Sequence, residues 1–131
     1  MCLTMSDSDW TVRERPYDLR ERLLLFACRI VRVVEFLHTR GPVGRSLSDQ
    51  LLTCGTSAGA NYEEADDGSS DRDALAKKKI VLRELKETRF RLRVLRQTGY
   101  LTEEHDQVIN ETLELVRIVA SMIRKSSPSK A

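Results

Sequence analysis

Glu35 and His38 stand three residues apart, the Glu-x-x-His spacing that puts a carboxylate and an imidazole on one helix face and serves dinuclear iron in four-helix bundles. That chemistry needs two such motifs, and the second is missing because Thr102 occupies the place where a glutamate would have to precede His105. His38 is therefore read as a helix-end residue. Cys2, Cys28 and Cys54 lie more than twenty residues apart with no Cys-x-x-Cys, which suits neither zinc nor a disulfide framework. Cys28 and Cys54 are expected as small core residues of a protein kept in a reducing cytoplasm. Glu63, Glu64, Asp66 and Asp67 offer carboxylates to a hard cation, but an acidic run at a helix end reads as a solvated turn. No Ser or Cys has a base and an orienting acid near it in the pattern, and no phosphate loop is present. The expectation is a protein with no catalytic residue, no metal and no cofactor, hence not an enzyme.

The residues with a stronger claim to function are basic. Between Asp71 and Thr98 the chain carries ten basic residues against four acidic, a net charge of +6, while the whole chain is only +2. At 100° per residue, Arg72, Lys79, Arg83, Lys86 and Arg93 fall within about 80° of one another and form a strip beside the leucine stripe, not diametrically opposite it. Charges repeating along a line suit a phosphate backbone, whose counterions are released on contact. The competing reading is an ordinary solvated or salt-bridged face. Lys78, Arg89 and Arg96 fall in the leucine sector and need acidic partners. Glu63, Glu64, Asp66 or Asp67 is expected to meet Lys78, Glu111 or Glu114 to meet Arg89, and the first helix or another subunit to meet Arg96. With aromatics at 5% of the chain, recognition is expected through shape and phosphate and not through base stacking.

The elements that position these side chains follow from composition and period. The 131 residues are 40% hydrophobic and 32% charged with six Gly and three Pro, enough apolar side chain for one core and too few turn residues for a β-sandwich. No stretch approaches the uncharged length of a membrane span, and no secretory leader is read in the first residues. Four helical patterns appear. The first, about 17–39, carries Leu19, Leu23, Phe26, Ile30, Val33, Val34 and Leu37 and is stopped by Gly41-Pro42. The second, about 46–65, is opened by Ser46 with Asp49 and carries Leu47, Leu51, Cys54, Ala58 and Ala65. The third, about 71–98, is capped by Ser70, carries Leu75, Leu82, Leu85, Leu92 and Leu95, and ends at Gly99. The fourth follows Thr102, with Val108, Ile109, Leu113, Val116, Val119, Ala120 and Ile123 on its stripe. Short loops between long helices force an all-α, antiparallel up-down-up-down four-helix bundle over 15–125, with flexible tails at 1–14 and 126–131.

Gly55 and Gly59 each cost the second helix about 1 kcal/mol in propensity relative to Ala, so something must offset them. Close approach of another helix, within the bundle or between subunits, is favoured over a kink. Asn61 falls on the stripe of Cys54, Ala58 and Ala65, where an amide is expected to fix register through a hydrogen bond.

The run Gln50-Leu51-Leu52-Thr53-Cys54-Gly55-Thr56-Ser57-Ala58-Gly59-Ala60-Asn61-Tyr62-Glu63-Glu64-Ala65, with Leu85-Lys86-Glu87-Thr88-Arg89, resembles the four-helix bundle family of 23S rRNA intervening-sequence (S23) proteins. Arg20-Glu21-Arg22 and Phe26-Ala27-Cys28-Arg29-Ile30-Val31 agree with it, and the resemblance covers roughly 17–124. Gly55, Gly59, Asn61, Glu64 and Arg89, which fall within these matched segments, are read as close-packing or structural residues. The resemblance implies a homopentamer and no enzymatic reaction. Through the related accessory variability determinant proteins of diversity-generating retroelements, it also implies a nucleic-acid-binding partner of a reverse transcriptase. Two functions are carried forward: a pentamer presenting basic strips to structured RNA or DNA, and a protein-interaction scaffold or polymerase accessory that binds no nucleic acid.

Overall fold

A computed structural model describes residues 18–67 and 70–126. Four helices fold as consecutive antiparallel neighbours: α1 (Leu19–His38), α2 (Gly41–Asp66), α3 (Asp71–Gln97) and α4 (Asp106–Ser126). A short 3-10 turn, Glu103–His105, leads into α4. The expected all-α four-helix bundle is what forms. The expected tail at 1–14 and the start of the first pattern at Tyr17 lie outside the described residues, as do Gly68, Ser69 and 127–131; Ser126 is the last helical residue.

Three of the four helices begin at a side chain that accepts a backbone amide. Asp18 caps α1 by accepting from the Arg20 amide at 3.0 Å, and Ser70 caps α3 by accepting from the Asp73 amide at 3.2 Å. His105 closes the turn before α4, its Nδ1 accepting from the Thr102 amide at 3.0 Å while its ring packs 4.8 Å from that of Phe36. The start of α2 differs from expectation. Gly41-Pro42 ends α1 and also opens α2, because Gly41 takes φ +86° to reverse the chain and Pro42 fits a first helical turn, where no amide is needed. Ser46 and Asp49 therefore lie inside α2 and cap nothing.

The core runs the length of the bundle through Leu23, Phe26, Ile30 and Leu37 of α1, Leu51 and Ala58 of α2, Val81, Leu85 and Leu92 of α3, and Val108, Leu115 and Val119 of α4. Cys54 is buried as expected; Cys28 is half-buried. Ser48, Thr88 and Thr112 are buried hydroxyls, and each donates to a carbonyl of its own helix, which removes the cost of an unpaired polar group. Tyr62, not Asn61, occupies the buried position on α2. Asn61 is half-buried, and its Nδ2 donates to the Ser57 carbonyl one turn back, within its own helix.

Gly55 and Gly59 face α1. A Cβ on Gly55 would stand 2.7 Å from Ile30 Cγ2, so only glycine lets the two helices meet there. A Cβ on Gly59 would stand 3.5 Å from Leu23 Cβ, an ordinary contact. The close approach is thus within the bundle, and Gly55 is the residue that requires it.

Candidate nucleic-acid interface on the third helix

Helix α3 is 27 residues long, about 40 Å at 1.5 Å per residue. Its buried residues are Val81, Leu85, Thr88, Leu92 and Leu95. Leu75 and Leu82, counted in the expected stripe, are only half-buried, while Val81 and Thr88 take core positions. This turns the buried face away from the basic residues. At 100° per residue the centre of the strip lies roughly 160° from the centre of the buried face, on the outer side of the bundle, which corrects the expected position beside the core.

All five residues of the strip, Arg72, Lys79, Arg83, Lys86 and Arg93, are exposed. Among the described residues, no carboxylate lies within 4 Å of Arg72, Lys79, Lys86 or Arg93; Arg83 meets Glu84 at 3.6 Å with 70% of its side chain still open to water. The nearby carboxylates are drawn off toward α2 or along α3. Glu84 accepts from Ser57 at 2.9 Å, and Glu87 holds Arg91 at 2.9 Å. Among the described residues, the strip therefore keeps four charges without a carboxylate partner along one line.

The acidic groups expected to balance α3 have other partners. Asp67 and Asp66 hold Arg20 at the start of α1, at 2.6 and 3.7 Å. The Asp67 hydrogen bond raises the Arg20 pKa. Glu64 is exposed and accepts from Lys77, so Lys77 and not Lys78 meets the acidic run. Glu111 and Glu114 do not meet Arg89. Both are taken by Arg22, whose Nε and Nη2 fork onto Glu111 at 2.8 and 2.9 Å and whose Nη2 also reaches Glu114 at 2.9 Å. This fork holds the Arg22 guanidinium well above its ordinary pKa and joins α1 to α4 across their shorter line of contact. The one sign of Arg22 in the sequence was its place beside the apolar stripe of α1. Arg89 is left half-buried with its Nε buried and unpartnered. Arg96 finds Asp106 at 2.8 Å, in its own chain on α4.

One further feature on this surface was missed in the sequence. Phe90 is 64% exposed and Val94 37%, both on the outward side of α3. A pocket of about 110 Å³ lies beside them, lined by Leu47, Phe90, Arg91, Val94 and Leu95. The signal was available: at 100° per residue Phe90 lies on the meridian of Arg72 and Arg83.

Among the described residues no three His, Cys, Asp or Glu gather as a metal-holding group, and no helix is long and apolar enough to cross a membrane. Comparison with known proteins adds the family. No curated protein matches the chain. A solved structure is similar to it with a TM-score of 0.74 and 35% identity, over 81% of this chain and 98% of that one. That structure is a protein of unknown function from the S23 ribosomal protein family of Bacteroides thetaiotaomicron VPI-5482. The family model described as 23S rRNA-intervening sequence protein matches residues 18–121, the whole bundle but for the last turn of α4, and the chain belongs to that family.

Proposed function

We propose that this protein binds the phosphate backbone of structured RNA or DNA through the outer face of α3, as a non-enzymatic assembly of several copies, five by the family resemblance. The observation that carries the reading is the exposure of Arg72, Lys79, Arg83, Lys86 and Arg93 on one line, four of them without a carboxylate among the described residues. A face used only for solubility is ordinarily interlaced with acids. Here Glu84 reaches Arg83 only at 3.6 Å while it accepts from Ser57, and Glu87 is held by Arg91.

Assembly multiplies the effect. A strip of five charges gives weak, salt-sensitive affinity, and linked copies raise it by effective concentration without new contacts. Leu24 and Val31 support an assembly face that spares α3. They are exposed, seven residues apart on one side of α1, and α1 lies across the bundle from α3.

The test is a gel shift at low salt with wild type and Lys79→Glu plus Arg83→Glu. The reading predicts loss of the shifted band in the variant; a shift that survives both reversals contradicts it. Absence of any shift with wild type would favour the scaffold function, in which α3 serves a protein partner such as a polymerase or reverse transcriptase.

A further inference from the structure

Among the described Phe and Tyr rings, Phe90 is the one that faces water. Phe26 and Tyr62 are buried, Phe36 packs on His105, and Tyr100 is half-buried. An exposed ring of this size on a helix that packs a full core on its other face is not needed for folding. Its neighbours are informative. Lys86 precedes it by four residues and Arg93 follows by three, so each lies one turn away on the same side, and Arg83 lies two turns before it. The pocket of about 110 Å³ opens beside the ring toward α2, walled by Leu47, Val94 and Leu95, with Arg91 held on its border by Glu87. An apolar platform framed by cations fits a flat apolar group attached to a polyanion.

We propose that Phe90 is a stacking platform for an unpaired base of the nucleic acid whose backbone the strip holds, an inference that rests on the phosphate-binding reading above. The frame of Arg83, Lys86 and Arg93 selects the occupant, because a peptide or second copy seated on Phe90 would have to bring carboxylates to each of them. Every base has a π-face, so such a platform is tolerant of sequence. It distinguishes a loop, bulge or strand end, whose bases are free to splay out, from a continuous duplex, whose bases are stacked on one another. The ligand class is therefore structured nucleic acid with an unpaired segment beside the helix.

The experiment compares three RNAs with equal numbers of phosphates: a hairpin with an open loop, the same hairpin with abasic sugars in the loop, and a fully paired duplex. Wild type is expected to bind the open loop about tenfold more tightly than the other two. Phe90→Ala should lower loop affinity to the abasic level and leave duplex affinity unchanged, and Phe90→Trp should retain the preference. A loop preference that persists in Phe90→Ala overturns the inference. So does a change in the molar mass of the assembly on Phe90→Ala, which would make the patch a protein contact. If no RNA binds at low salt, the backbone reading fails and takes this one with it; if duplex binds equally in both proteins and the loop gains nothing, only the stacking inference fails.

Discussion

Arg22 carries more of the fold than its position among the charged residues of α1 suggests. It and Glu111 keep only 12% and 14% of their side-chain surface, so neither can be removed without leaving the other charged and poorly solvated. Arg22→Ala should cost on the order of 3 kcal/mol in denaturant unfolding, while Arg22→Met with Glu111→Leu should recover most of that loss. The glycines divide in the same way. Gly55→Ala pushes against Ile30 and should destabilise by about 1–3 kcal/mol, whereas Gly59→Ala meets only ordinary contact and should be neutral or stabilise by up to about 1 kcal/mol through helix propensity. Equal effects of the two substitutions would contradict the geometry. The sequence pattern showed that both glycines needed a reason but not that one of them had it, because the distance to Ile30 depends on where α1 crosses α2. For the same cause it missed the pairing of Arg22: its acceptors lie 89 and 92 residues away on α4. Burial raises the pKa values of Cys54 and Tyr62, so their protonated forms favour the folded state. Their contribution is complete below the unfolded thiol value and declines as pH rises through the higher folded values. Stability measured from pH 7 upward should therefore fall above about pH 9.

At the scale of the helix, period and punctuation located four elements, and capping by Ser70 was readable from its spacing to Asp73. Ser70→Ala should cost about 1 kcal/mol in thermal unfolding. Two features of the elements were not legible. Gly41-Pro42 carries the same letters whether it breaks a helix or starts the next, and only the left-handed φ of Gly41 decides for a turn that does both. The facing of α3 does not follow from its leucines, because Val81 and Thr88 take core positions while Leu75 and Leu82 stay half-buried. A threonine bonded to its own helix at Glu84 is as much a core residue as Leu85. The rotation that follows puts the cations on the outer face. Reversing Lys79 and Arg83 there should change unfolding free energy by no more than about 0.5 kcal/mol, as expected of exposed positions whose one ion pair, Arg83 with Glu84, is long and open to water. A larger loss would mean that these side chains hold the fold together.

The whole molecule is a bundle whose charges are sorted by face. Acids at the ends of α2 and along α4 are paired with Arg20, Lys77, Arg22 and Arg96, and the outer line of α3 is left cationic. A pentamer of 15.0 kDa chains would weigh about 75 kDa by light scattering, and the mass of one chain would contradict it. The salt dependence of binding tests the central claim most directly. With a short RNA duplex, the logarithm of affinity should fall linearly with the logarithm of salt concentration. Each strip cation that neutralises a phosphate adds about 0.9 to the slope, and the slope should shrink by roughly 2 for each strip engaged when Lys79 and Arg83 are replaced by Ala. An affinity indifferent to salt, or a slope untouched by those two replacements, would contradict the claim that α3 holds a phosphate backbone.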